Sequence, residues 1–368
     1  MAKIFILGGY GYTGRLVTRH LLQQTSVTVV LAGRNLDKAA ALAAQLNAEF
    51  PGGRVSAACA DAASYQGMVD ALAGSDLLVV ASTTAKYAKT VVRAALAAGV
   101  DYLDVQLDSR KLQVLREHAA DIEQAGRCFI TEAGFHPGLP SALVRFAAAK
   151  LDRLDSAVTA GFLNMGHDLP YSDAVEELAH VFVDYQGQVF KDGAWTPDGA
   201  YDMRAIDFGG AIGKKNSSSM FFEELRDLPE MIPSLRETGF YIAGSHWFND
   251  YVITMLVLAG VKVAPVRGLK PLGKLMWWGM QNFHNPPYIV VLRVDAAGEK
   301  DGRQVKLSAE IAHPDGYELT AIPVVATLMQ VLDGSARKPG LWMMGHIVEP
   351  VRLFEDMQKM GAVFQEKA

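Results

Sequence analysis

The sequence of 368 residues is poor in cysteine, with only Cys59 and Cys128. Two thiols cannot build the disulfide framework of a small secreted scaffold. Both fall in apolar, strand-like stretches, where the reduced, buried thiols of a cytoplasmic protein are expected. Long hydrophobic runs are lacking as well. The most apolar stretch, Val252 to Val263, is about a dozen residues, short of the ~20 that a spanning helix needs. No basic run occurs, and 35 Lys and Arg against 40 Asp and Glu leave a net charge of −5, which argues against nucleic acid as a partner. Repeats and low-complexity tracts are absent. The histidines from His246 to His346 show no metal-ligand spacing, so no metal is expected. Residues 1–20 run straight into a glycine-rich turn, where no secretory leader is expected.

What is present points to a two-domain globular chain. Half of the residues are apolar and a fifth are charged, enough for a large core. Ile4-Phe5-Ile6-Leu7 is an apolar strand. It enters Gly8-Gly9-Tyr10-Gly11-Tyr12-Thr13-Gly14, and a helix follows from Arg15. Strand, glycine turn and helix in that order form a dinucleotide-binding unit. Gly9 suits the tight turn, Gly11 lets a pyrophosphate approach the backbone, and Gly14 lets helix and strand pack closely. The helix-start N–H groups, Thr13 among them, face the phosphates. Tyr10 and Tyr12 are expected to pack around the pyrophosphate.

The second strand, Val27 to Ala32, contains no Asp or Glu. An NAD enzyme would place a ribose-reading acid there. Arg34 stands in that place instead, and a guanidinium pairs with a 2′-phosphate that a carboxylate would repel. NADP is therefore the expected cofactor, with NAD as the alternative should Arg34 be solvated. Asn35 is a second phosphate candidate. Asp61, after the third strand, either reaches the adenine edge or caps the next helix.

Strand-like and helical runs alternate to about residue 150, which predicts a doubly wound parallel sheet of Rossmann type with strand order 3-2-1-4-5-6. A single helix is expected over residues 111–125. Beyond residue 150 the pattern becomes that of an α+β domain with a mixed or antiparallel sheet. Hairpins are expected at Asp192-Gly193 and across residues 298–302. The helix from Thr320 to Leu332, with Pro323 in its first turn, would return the chain to the first domain. The expected division is 1–138 for the NADP domain, 139–318 for the inserted α+β substrate and dimerisation domain, and 319–368 for the returning helix and tail.

Ligands bind beyond the carboxyl ends of such strands. Four loops qualify: residues 8–14, Ser82 to Tyr87, Asp104 to Asp108, and Glu132 to Gly138. Ser82 and Thr83 are cofactor candidates. Lys86 could bind a carboxylate, Gln106 is a substrate candidate, and Asp104 would hold substrate or nicotinamide ribose unless it only orders its loop. Glu132 would anchor its loop or bind an amine. His136, with an ordinary pKa near neutrality, is the first candidate for proton donor or polariser. The second domain offers Tyr171, Lys214, Lys215, Trp247, Asn249, His284 and, above these, His246. The segment Leu275 to Met280 is rich in Met and Trp and is expected to line an interface or pocket, with a membrane surface as the alternative.

The glycine turn, Ala81-Ser82-Thr83-Thr84, Asp101-Tyr102-Leu103-Asp104 and Thr131-Glu132-Ala133-Gly134-Phe135-His136-Pro137-Gly138 together resemble the saccharopine dehydrogenase (saccharopine reductase) family, as does the later stretch His313 to Ala321 with Gly340-Leu341-Trp342. The resemblance implies an NADP-linked oxidoreductase that transfers hydride to or from an imine or secondary amine of an amino-acid-like substrate, folded as a Rossmann domain with an inserted α+β domain, and a homodimer. One departure stands out. Where the family has Gly-Leu-Asp-Pro-Gly-Ile-Asp-His, this chain has His136 for the first Asp and Pro140-Ser141 for Asp-His. His136 cannot supply the carboxylate that an amine wants, so a different or unknown substrate is expected. A carbonyl or enoyl reductase with an apolar substrate, and a non-catalytic NADP-binding sensor, are the competing readings.

Overall fold

The computed structural model describes residues 1–166, 187–198, 203–264 and 268–367. The chain divides into two compact units, Met1–Gly138 with Thr320–Met360, and Leu139–Leu319 with Gly361–Ala368.

The first unit is built on a parallel sheet: β1 (Lys3–Leu7), β2 (Thr28–Gly33), β3 (Val55–Cys59), β4 (Leu77–Val80), β5 (Asp101–Asp104) and β6 (Cys128–Thr131). Their order is β6-β5-β4-β1-β2-β3, the doubly wound order with its reversal between β1 and β4. A seventh strand, Gly340–Met343, adds in parallel beside β6. Continuous burial of β4, β5 and β6 follows from helices on both faces. The helices are α1 (Tyr12–Gln24), α2 (Leu36–Glu49), α3 (Tyr65–Leu72), α4 (Ala88–Ala98), α5 (Ser109–Glu117) and α6 (Ala119–Gln124). The single helix expected over residues 111–125 is thus two. His118 breaks it, with φ −101° and ψ 7°, and its ring meets Asp121 at 3.1 Å. Cys128 is buried, but Cys59 is exposed, because β3 is the sheet edge. The expectation of two buried thiols holds for Cys128 alone.

The second unit contains a helix, α7 (Leu139–Lys150), and a mixed sheet. Its strands are β7 (Arg153–Asn164), β8 (Gln188–Lys191), β9 (Ala194–Pro197), β10 (Met203–Asp207), β11 (Lys214–Met220), β12 (Glu237–Ala243), β13 (Ile289–Lys300) and β14 (Arg303–His313). Numbering then continues with β15 for Gly340–Met343 and β16 for Val363–Lys367. The main order is β10-β11-β12-β7-β13-β14-β16, with β12 and β7 parallel and the other pairs antiparallel. The β13–β14 hairpin runs further than expected and closes on Asp301-Gly302 alone, with φ 51° and 72°. Both central residues of a type I′ turn need positive φ, which the Asp-Gly pair supplies. Asp192-Gly193 does the same between β8 and β9.

Two expectations about the C-terminal segment change. The long helix spans Gly316–Leu332, because the Asp315 carboxylate accepts from the backbone of Tyr317 and Glu318 and starts it there. Pro323 therefore lies in the helix interior. The tail does not return whole to the first unit either. β16 pairs with β14, in register from Ser308↔Lys367 to Ala312↔Val363.

Candidate functional site

In the first unit, β1 ends in a tight turn in which Gly8 has φ +87°, a conformation that L side chains rarely adopt. A Cβ at Gly14 would lie 2.4 Å from the Gly8 carbonyl oxygen, so only glycine lets α1 start this close to the strand. The first turn of α1 has no side-chain cap and no acidic residue. Uncapped N–H groups under a positive helix end suit a pyrophosphate. Gly9 packs on Leu31 of β2, and Gly11 is the N-cap position. Tyr12 is exposed. Tyr10 turns elsewhere: its ring lies against Gly33, and its hydroxyl accepts from the Asn35 backbone N–H at 3.1 Å. It braces the end of β2, so the expected packing of both tyrosines around a pyrophosphate is not what Tyr10 does.

Arg34 lies just beyond β2 and is exposed, and its guanidinium makes no hydrogen bond or ion pair with any described residue. It is available to an anion. Asn35 is not equally available. Its Oδ1 caps α2 by accepting from Lys38 N–H at 2.9 Å. Asp61 is exposed and accepts from Ala63 N–H at 3.0 Å, while Ser64 caps α3. The helix-cap reading of Asp61 is thereby replaced by a local turn.

The loops after β4 and β5 are tied to each other. Gln106, nearly fully buried, donates from Nε2 to the Ser82 carbonyl and, at 3.3 Å, to Thr84 Oγ1. Ser82 Oγ and Thr84 Oγ1 are 3.0 Å apart. Gln106 is thus a strut between loops, in place of the substrate contact expected of it. Thr83 stays exposed. Lys86 is exposed, with its ammonium 4.9 Å from the centre of the Tyr87 ring.

Asp104 is fully buried. Its Oδ1 accepts from Lys111 Nζ at 2.9 Å, Gln106 N–H at 3.0 Å and Glu132 N–H at 3.3 Å, and its Oδ2 from Thr131 Oγ1 at 2.8 Å. With its lone pairs engaged, this carboxylate orders the loops after β5 and β6. It lies fully buried among these partners, where a catalytic role was expected for it. Sequence reasoning missed its partner Lys111, whose ammonium also donates to the Gln106 carbonyl at 2.7 Å and to Thr131 Oγ1 at 2.6 Å. One signal was available. A lysine in the first turn of a helix opposes the helix dipole, and a buried carboxylate offsets that.

The loop after β6 carries Glu132 and His136. Glu132 is buried with φ 56°, a strained conformation for a side-chain-bearing residue that costs on the order of 1–3 kcal/mol. Asp104 holds its backbone there. His136 packs on Phe135 with ring centroids 4.3 Å apart. Burial pushes its imidazole down from 6.5 to about 4. The ring is therefore neutral near pH 7.

These groups and the glycine turn all belong to the first unit. Residues 4–128 match the family model described as the saccharopine dehydrogenase NADP binding domain. This segment is thus similar to a saccharopine dehydrogenase NADP binding domain. Its cofactor is NADP, and the uncapped helix start, the Cβ-free turn and the open guanidinium just past β2 fit one. A carboxyaminopropylagmatine dehydrogenase from Synechocystis is 25% identical over 294 residues, covering 73% of this chain and 72% of that protein. The structure of saccharopine dehydrogenase (L-Glu forming) from Saccharomyces cerevisiae superposes with a TM-score of 0.70 at 14% identity, over 100% of this chain and 99% of that one. It shares the fold around the NADP binding domain, second sheet included. The chain is thus similar to saccharopine dehydrogenases in fold and carries an NADP binding domain.

The remaining candidates lie in the second unit. His246 Nδ1 accepts from Phe248 N–H at 3.2 Å, and its ring stacks with Trp247. Nearby Asp250 is raised to about 6, chiefly by burial, with Lys215 opposing. Lys214 is exposed and pairs in register with Asp207 across β11 and β10. Asn249 opens the turn before the helix Thr254–Val263. His284 packs edge-on to Tyr288. Tyr171 lies outside the described residues. No group of three or more His, Cys, Asp or Glu with metal-binding geometry occurs among the described residues.

Proposed function

We propose that the protein reduces, with NADPH, an imine formed between an amine and a carbonyl compound of amino-acid-like character, or runs the reverse oxidation of the secondary amine. The observation that carries this reading is the open Arg34 guanidinium beside the uncapped start of α1. Bound there, the cofactor supplies the hydride. The chain's own residues would do the rest. Arg34 would hold the 2′-phosphate, the turn from Gly9 to Gly14 would hold the pyrophosphate, and Ser82 and Thr83 would line the path to the nicotinamide. The Asp104–Lys111 pair would keep the loop with Glu132 and His136 in place, and the neutral His136 N–H would polarise the reacting group. An amine-linked substrate is supported by the relative whose name joins a carboxyaminopropyl arm to agmatine.

A specific observation also favours a second reading. His136 is uncharged, and the Asp104 carboxylate is spent on Lys111. Neither offers an ammonium the partner it needs, which suits a carbonyl or enoyl group on an apolar substrate. Oxidation of NADPH by a panel of aldehydes, with amino acids or polyamines present and then omitted, separates the two. Turnover that requires the amine supports imine reduction. Turnover that persists without it replaces imine by carbonyl or enoyl reduction, and none with any pair returns the chain to a binding role.

A further inference from the structure

The second unit carries a helical excursion outside the strands of its mixed sheet. A five-residue π-helical turn, Asn249–Ile253, leads into the helix Thr254–Val263, and a second helix follows at Leu269–Asn282. They share a small core of Ile253, Val257, Val261 and Met276. Glycines set their approach, since a Cβ at Gly260 would lie 2.7 Å from Leu272 and one at Gly279 2.6 Å from Ile253.

Leu269, Leu272, Leu275 and Met280 pack against that core, but part of the apolar surface of these helices lies outside it. Leu256, Ala259 and Val263 fall at i, i+3 and i+7, one stripe of a helix, and all three are exposed, Leu256 at 55% and Val263 at 86%. On the second helix Lys270, Lys274 and Trp278 fall at i, i+4 and i+8 and are likewise exposed, Trp278 at 46%. Trp247 is 63% exposed just ahead of the pair. The charge is one-sided. Asp250 is the one acid in the π-helical turn, and from Tyr251 to Tyr288 the sequence holds no Asp or Glu but holds Lys262, Arg267, Lys270 and Lys274.

We propose that this helical pair docks the protein on an anionic lipid surface, lying in the headgroup plane. Aliphatic side chains and tryptophans on an exposed helix face, flanked by lysines and free of acids, are the composition of interfacial helices. At 10 and 14 residues neither helix can span a bilayer. A second copy of this chain is a poorer occupant. A two-fold contact sets the same patch against itself, and here that would oppose lysines to lysines with no carboxylate between them. Anionic headgroups supply the missing countercharge, each nearby lysine being worth about 1 kcal/mol at such a surface.

The test is sedimentation of the full chain with vesicles of phosphatidylcholine alone or mixed with phosphatidylglycerol, at low and high salt. The expected result is binding to the anionic vesicles only, weakened by salt, with a blue shift of tryptophan emission. The triple variant Lys262→Gln/Lys270→Gln/Lys274→Gln should weaken partition on the order of a hundredfold. Leu256→Ser/Val263→Ser should also release the protein. Circular dichroism and the NADPH-induced rise in Tm report whether each variant is folded. No binding to either vesicle, or equal binding to both, overturns the proposal. So does a concentration-dependent dimer that Leu256→Ser/Val263→Ser abolishes without any vesicle binding, which would assign the face to a second copy.

Discussion

The ammonium of Lys111 lies 2.9 Å from Oδ1 of Asp104, and neither side chain has any exposed surface. Breaking such a pair from one side strands a buried charge, which costs about 3–5 kcal/mol, whereas removing both charges is far milder. Lys111→Met should therefore lower stability strongly, and Lys111→Met/Asp104→Asn should recover a large part of the loss. Urea unfolding of the wild type, the singles and the double closes the cycle. A double variant less stable than Lys111→Met would contradict the description of a closed pair.

The Arg34 guanidinium has no intramolecular partner among the described residues, so replacing it should leave the fold intact and change the cofactor. Charge-assisted hydrogen bonds are worth about 1.5–3 kcal/mol. Arg34→Ala should weaken NADPH binding by about ten- to a hundredfold and leave NADH binding nearly unchanged. Titration of both nucleotides by protein fluorescence reads this directly. Equal losses for the two would mean that the guanidinium does not touch the 2′-phosphate.

Gly14 tests the cradle itself. The Cβ of Gly14→Ala would come within 2.4 Å of the Gly8 carbonyl oxygen and 2.8 Å of the Gly9 Cα, backbone atoms that can yield only by opening the turn. The expected outcome is a loss of the NADPH-induced rise in Tm together with a drop in the Tm of the free protein. Overpacking of this kind costs roughly 1–3 kcal/mol.

His136 predicts a pH dependence. Its folded pKa of about 4 lies below the ordinary 6.5. Between these values the unfolded chain takes up a proton that the folded chain refuses, so stability is lost as pH falls from about 6.5 to about 4 and the loss then levels off. A shift of this size corresponds to about 3 kcal/mol. His136→Gln should flatten that part of the stability curve, measured by urea unfolding from pH 4 to 8. A variant curve as steep as the wild type would assign the acid sensitivity to other groups.

What could be read from the sequence was local. The run from Ile4 to Gly14 carries strand, turn and helix within a few residues, and the missing acid in Val27 to Ala32 speaks through one position, Arg34. Asp192-Gly193 and Asp301-Gly302 announce their turns because positive φ is a property of the residues that stand there. Alternation of period two and period 3.6 was enough for the doubly wound sheet, since each strand and helix declares its own buried face.

Other features depended on residues far apart in the chain. Asp104, Gln106 and Lys111 look like three polar groups open to a ligand, and only the fold turns them inward on Thr131 and Ser82, which come from neighbouring strand ends. The lowered pKa of His136 likewise belongs to its burial and not to its residue type. The same is true of β15 beside β6 and β16 beside β14. Both pairings join segments more than 50 residues apart, and a short strand carries no mark of which edge it will complete. Chemistry that resides in one residue or one turn is written along the chain; chemistry that comes from desolvation and from partners meeting across a sheet exists only once the chain has folded.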